Sequence, residues 1–278
     1  MRPSRRRSVI PGFGISAGIT LTMLGLIVML PLAALVLRAG AAGPDGVLRL
    51  ALEPRIFAAL KTSFGLSLAA AALNGIFGVI VAWVLVRYSF PGRRLLDAAV
   101  DLPFALPTAV AGIALAALHA PNGWIGSLFV PYGIKIAYTP LGIFIALVFV
   151  GLPFVVRTVQ PVLAEAEQEI EEAAATLGAG RVRTIFTVLL PPLIPAILTG
   201  VAMSFARGVG EYGSVIFIAG NIPFVSEIAP LLIVVKLEEH DDAGATAIAL
   251  TMLAVSFLIL LALNALGSWT RRRYGHVR

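Results

Sequence analysis

The chain of 278 residues contains no cysteine, only three histidines, and few charges: Asp, Glu, Lys and Arg together make up 13% of it. The missing cysteine excludes a disulfide framework and any thiolate metal site. His119, His240 and His276 are too scattered to form a ligand set, so no metal is expected. No Gly-x-x-x-x-Gly-Lys stretch occurs, which removes the phosphate-loop route to ATP binding. No nucleophile paired with a base and no paired catalytic carboxylates sit at membrane depth, so an enzyme is not expected. A soluble domain carries about 25% charged residues. Here 59% of residues are hydrophobic and the mean hydropathy is +0.95, values of a chain that lives in lipid.

A spanning helix needs roughly 20 apolar residues. Uncharged runs lie at about 8–37, 62–86, 102–134, 136–156 and 243–270, and a further apolar region covers 193–219. Trimming turns at Pro121-Asn122-Gly123 and Pro131-Tyr132-Gly133 leaves six expected transmembrane helices. The runs lack a barrel's alternation, so the expected class is all-α and polytopic. Residues 228–237 are too short to span and are expected along the outer face or dipping partway in.

The net charge of +6 and the pI near 10.2 do not point to nucleic acid, because the basic residues mark orientation. With the N-terminus inside, the cytoplasmic segments hold Arg2, Arg5, Arg6 and Arg7, then Arg87, Arg93 and Arg94, then Arg157, Arg181 and Arg183, and finally Arg271, Arg272, Arg273 and Arg278. The opposite side holds only Arg38, Arg49, Arg55, Lys61, Lys135 and Lys236. The positive-inside rule therefore puts both termini in the cytoplasm. The first apolar run exceeds a signal peptide's usual length, which favours a retained anchor over cleavage near Ala39 or Ala41.

Between the fourth and fifth spans, residues 161–177 form an amphipathic helix pattern. Leu163, Ala166, Ile170, Ala173 or Ala174, and Leu177 recur at helical spacing, while Glu165, Gln168, Glu169 and Glu172 line the other side. Gly178 is the expected C-terminal stop. A second short segment, 182–190, is expected to end at Pro191-Pro192, where helix five begins. Periodicity alone describes an interfacial connector. The spacing is more specific: Glu172-Ala173-Ala174, three residues, Gly178, nine residues, then Val188-Leu189-Leu190-Pro191. It resembles the EAA loop of ABC importer permeases, with Val188 in place of isoleucine.

The resemblance extends over about residues 10–270 and implies a type I ABC importer permease fold. The stretches DLPFALPTAVAG (101–112) and SFARGVGEYGSVIFIAGNIP (204–223) are similar to the sulfate/thiosulfate branch, with molybdate and tungstate permeases close behind. It implies that Glu172, Ala173, Ala174, Gly178, Val188, Leu190 and Pro191 dock the chain on a separate ATPase. Implied partners are two ATP-binding subunits, a second related permease and a periplasmic or lipid-anchored sulfate-binding protein, in a bacterial inner membrane. No cofactor is expected in this chain, ATP-Mg being held by the partner ATPase. The implied division is residues 1–60 as tail, first helix and external loop, 61–270 as transmembrane domain, and 271–278 as a basic tail. An ion-coupled secondary anion transporter is the alternative of another class, and would need relay carboxylates in several helices where only Glu211 is present.

Arg207 at membrane depth costs about 2.5 to 3.5 kcal/mol unless it faces protein or water, so it needs a partner, and Glu211 lies one turn on. Two readings stay open: a structural clip, or a gate in which Arg207, Gly208, Gly210, Glu211 and Gly213 line an anion's path on a loosened helix. Asn74 and Asn264 are expected as interhelical hydrogen-bond partners, Gly65, Gly75 and Gly78 as packing contacts, and Asp97 and Asp101 at the cytoplasmic end of a third helix kinked by Pro103 and Pro107.

Overall fold

The computed structural model describes residues 13–165, 173–174 and 176–274. They form helices, with no strand among the described residues. A first span runs through α1 (Phe13–Leu24), a π turn at Gly25–Met29 and α2 (Leu30–Ala51). Gly43, at φ 69° and followed by Pro44, kinks α2 where the span leaves the apolar zone. The apolar side chains of Phe13–Gly40 are almost all exposed, and α2 packs on the last helix.

Next come α3 (Pro54–Arg87), α4 (Arg93–Val100), α5 (Leu102–Ala105), α6 (Thr108–His119), α7 (Gly126–Phe129) and α8 (Pro140–Glu165). After the loop, α9 (Arg181–Thr184) leads through a π turn at Ile185–Leu189 into α10 (Leu190–Val209). The chain finishes with α11 (Val215–Ile218), α12 (Ala229–Glu238) and α13 (Asp242–Tyr274).

Helices α3, α8 and α10 make the centre. Hydrocarbon offers no hydrophobic gain for helix association, so close contact depends on small residues and on polar groups between helices. Asn74 Nδ2 donates to Ser204 Oγ at 3.1 Å in the buried seam, as expected for Asn74. Gly75 and Gly78 are packing sites: a Cβ there would fall 2.8 Å from Val201 and 2.7 Å from Val155. Gly65 is not, since it faces open space, and Asn264 lies on the exposed side of α13. Ala82, Leu85, Val155, Val156, Val159 and Leu193 fill the half nearer the coupling segment, while Ile143, Leu147, Val215 and Ile218 fill the other.

The structure is all-helical as expected, and it shows fewer long rods than the six transmembrane helices expected. Among the described residues, five helices are long and apolar enough to cross a membrane, at Phe13–Gly40, Pro54–Arg87, Pro140–Glu165, Arg181–Val209 and Asp242–Ser268. The third expected span is broken instead. Leu106 adopts an extended conformation ahead of Pro107, as a residue before proline tends to, and α6 stops at the Pro121 turn. Its 12 residues reach about 18 Å, short of a hydrocarbon core of about 30 Å.

The short helix near residue 230 does not lie flat outside. Ala229, Leu231 and Leu232 are buried against α3 and α13, and Ala229 N–H donates to Ser63 Oγ at 2.8 Å. Asp241 then caps α13: its Oδ1 accepts from Gly244 N–H at 2.9 Å and its Oδ2 lies 2.9 Å from Lys236 Nζ. Gly244 and then Lys236 hold the Asp241 carboxyl below its ordinary value of 3.8. A depressed carboxylate contributes stability above its unfolded pKa and loses it as the pH falls through the folded one. Asp241→Ala is expected to cost about 1 kcal/mol at pH 7. In thermal unfolding in detergent, the gap from wild type should close below pH 3.8.

Candidate functional site: a coupling loop, a broken helix and a guanidinium clamp

The loop expected to couple to an ATPase follows α8. Glu172 lies outside the described residues, while Ala173 and Ala174 are helical. Ala179 N–H donates to Ala174 O at 3.0 Å across Gly178, which sits at φ 79°. That bond and that dihedral make the Schellman stop expected at Gly178. The apolar side chains beside it are not covered: Leu177 is 87%, Val182 70% and Phe186 63% exposed. Isolated exposed leucines are ordinary, but three at one bend form a patch of the kind that marks a partner.

Val188, Leu190 and Pro191 lie within one helical rod rather than at a break. The expected boundary at Pro191-Pro192 is absent; the π turn at Ile185–Leu189 passes directly into α10. Pro191 and Pro192 donate no N–H to the preceding turn, and a widened turn makes room for their rings. The segment after Gly178 is thus continuous with α10.

At the other end of α10, the segment around Arg207 differs from the expected loosened helix: the helix ends. Val209 is its last residue, Gly210 follows as cap, and Glu211 lies in the turn before α11. The Arg207–Glu211 ion pair forms all the same, between Nη1 and Oε2. Glu211 Oε1 accepts from Ser214 N–H at 2.8 Å and from Ser214 Oγ–H at 2.9 Å. The two partners are unequally placed, with side-chain exposures of 36% for Arg207 and 1% for Glu211. The carboxylate is sealed by its donors while the Arg207 side chain stays part-exposed.

The three glycines also divide. Gly208 packs with Ser67 Oγ 3.3 Å from where a Cβ would be, and Gly213 lies against Thr108, whose Cβ would be 2.9 Å away. Only Gly210 faces open space. A cavity of about 10 Å³ remains beside Ser67, Gly208 and Glu211, room for a water and far too small for a tetrahedral oxyanion.

The ion pairs of Arg157 and Arg55 were not foreseen. Arg157, read only as an orientation signal, donates from Nε and Nη2 to the two oxygens of Asp101 at 2.8 and 2.5 Å. Its Nη1 reaches Asp97 Oδ1 and Gln160 Oε1, both at 2.6 Å, and Nη2 also reaches Asp97 O at 2.8 Å. The Arg157 hydrogen bond holds the Asp97 carboxyl below its ordinary range. The available signal was an arginine at the end of an apolar run, which requires an anion from some other element. On the far side of the bundle, Arg55 grips Glu227 through Nε and Nη2 at 3.0 and 2.8 Å, tying the start of α3 to the loop before α12.

An all-helical bundle with long apolar rods, an arginine at membrane depth and an exposed apolar bend on a connecting loop is a membrane-embedded transport subunit. The chain belongs to the family of binding-protein-dependent transport system inner membrane components, whose profile matches residues 74–272. That bears out the EAA-loop resemblance and makes the chain an inner-membrane component rather than an enzyme. Among its relatives is the sulfate transport system permease protein CysT of Escherichia coli (strain K12), 49% identical over 271 residues, 97% of this chain and 98% of that protein. The protein of the same name from Synechocystis is 51% identical over 254 residues, 91% of this chain and 89% of that one.

The fold is also that of solved importers. A chain in the crystal structure of a bacterial ABC transporter involved in the import of alginate superposes with a TM-score of 0.74 at 14% identity, over 92% of this chain and 96% of that one. In a second alginate transporter structure, in complex with a periplasmic protein bound to an alginate pentasaccharide, the TM-score is 0.72 at 17% identity, over 94% and 95% of the two chains.

Proposed function

We propose that this chain is the permease subunit of an ATP-driven importer that moves sulfate or thiosulfate into the cell, working with a separate ATPase that grips the loop around Gly178. The observation that carries the reading is the identity of about half of all residues, over nearly the full length, with sulfate transport permeases. The bend at Gly178 with exposed Leu177, Val182 and Phe186 supports the docking role of 161–192 and of Glu172, Ala173, Ala174, Val188, Leu190 and Pro191. ATP-Mg is held by that partner. The assembly has two ATP-binding subunits, a second related permease and an external sulfate-binding protein. Both termini face the cytoplasm, and residues 61–270 form the transmembrane domain. The sixth crossing is made by the broken stretch from α5 through α6 to residue 134.

Arg207 and Glu211 line the anion's path. Sulfate is a dianion, so it crosses only where donors replace its water. A buried, fully donated carboxylate paired with a part-exposed arginine repels little and attracts weakly, which suits passage better than storage.

The test is uptake into vesicles carrying this chain, its permease partner, the ATPase and the binding protein. Sulfate uptake should require ATP hydrolysis, be competed by thiosulfate and be indifferent to a dissipated proton gradient. Molybdate or tungstate competing better than thiosulfate would reassign the substrate, and uptake driven by an ion gradient alone would reassign the class.

A further inference from the structure

Three helices pack as one body. In the α3, α8 and α10 core, a Cβ on Gly200 would lie 2.7 Å from Val155 Cα, so α8 and α10 touch backbone to backbone. The α4 to α6 unit is attached differently. Its cytoplasmic part is largely exposed, with Val100 alone buried in α4. It is joined to α8 by the Arg157 clamp on Asp97 and Asp101, by Phe104 resting edge-on against Phe154 with ring centroids 5.1 Å apart, and by the apolar packing of Val100 and Ala116. Farther along, α6 meets the turn that ends α10. A Cβ on Gly112 would lie 2.8 Å from Ser214 Cα, and Thr108 abuts Gly213. Ser214 is the donor that holds Glu211, and Glu211 holds Arg207.

Besides the apolar packing of α8 on its neighbours, two routes run from the coupling loop to the Arg207 turn. One is α10 itself. The other leaves α8 at Arg157, four residues before Pro161, and passes through Asp97 and Asp101 into α5 and α6. From there it reaches Gly213 and Ser214. We infer that Arg157 is a positioning residue for transport: its clamp is the strut that carries movement of α8 to α6, so that the two sides of the Arg207 turn move together. This rests on the reading of 161–192 as the ATPase-coupling loop.

Bond geometry favours a strut over a tether. A guanidinium bound bidentately to one carboxylate and also to a second carboxylate, a backbone carbonyl and an amide has fixed direction as well as attraction. A lysine keeps the charge and loses the fork. Phe104 against Phe154 keeps α5 in place when the clamp is removed, but a ring contact slides where a fork does not.

The test measures sulfate uptake and ATP hydrolysis in the same vesicles of the full complex. Arg157→Gln is expected to lower sulfate moved per ATP about tenfold, within the usual range of coupling effects, while ATP hydrolysis stays within about twofold of wild type. Arg157→Lys should fall between them, and the exchanged pair Arg157→Asp with Asp101→Arg should recover part of the ratio. Should Arg157→Gln fail to assemble, Asp101→Asn, which leaves Asp97 and Gln160 in place, is read in the same way.

An unchanged ratio in an assembled variant overturns the strut, and so do uptake and hydrolysis falling in equal proportion, which marks a purely structural clamp. The wild-type complex reports on the underlying reading separately. Uptake independent of ATP removes coupling and strut together, whereas ATP-dependent uptake with an unaltered Arg157→Gln ratio removes the strut alone.

Discussion

A Leu177→Asp chain is expected to insert and fold as the wild type does, yet to bind its ATP-hydrolysing partner at least about 30-fold more weakly and to lose ATP-dependent uptake with it. Leu177 is 87% exposed, so within this chain the substitution breaks almost nothing. In the complex the same side chain is to be desolvated, and central interface residues of this sort contribute about 2 kcal/mol or more, which is the 30-fold. Gly178→Val acts on the same bend by another route. A residue at φ 79° with a branched Cβ is strained by about 1 to 2 kcal/mol, and the easiest relief is to surrender the Ala179 to Ala174 bond that shapes the bend. Gly178→Asn, which tolerates the left-handed region, should keep more uptake than Gly178→Val. Co-purification of tagged chain with the ATPase measures the first pair of effects and vesicle uptake the second. Normal co-purification by Leu177→Asp would remove the coupling loop from the interface.

What was legible in the sequence was what is local. Apolar runs declare themselves by length, Gly178 by its place at the end of a periodic segment, and Glu211 as a partner of Arg207 by a separation of four. Asn74 could be read as paired because hydrocarbon leaves it no alternative. What was not legible depends on elements far apart in the chain. Arg157 and Asp101 are 56 residues apart, and no period connects them. The break in the third span was half visible: Pro103, Pro107 and Pro121 were read as a kink and a turn, when together they divide the run into pieces too short to cross. The end of α10 at Val209 was hidden by the apolar residues after it, for VIFIA at 215–219 continues a hydrophobic run whether or not it continues a helix. Composition reports depth in a membrane well and backbone continuity poorly.

The second large effect belongs to Arg207, where the unequal burial of the pair makes the single variants insufficient. Arg207→Gln leaves Glu211, whose side chain is 1% exposed, with only Ser214 as donor. An uncompensated buried charge costs about 3 to 5 kcal/mol, so this chain is expected in the membrane at a fraction of the wild-type level whatever Arg207 does. The double variant Arg207→Gln with Glu211→Gln separates the two readings, because it removes both charges and lets two amides share the hydrogen bonds. Its membrane level should recover to near wild type. If the pair is a clip, sulfate uptake recovers with it. On the pathway reading uptake stays down about tenfold or more per assembled complex, since the guanidinium charge is gone and a neutral amide does not replace it for a dianion. Quantitative immunoblotting beside uptake distinguishes these outcomes, and full recovery of transport in the double variant would assign Arg207 to structure alone.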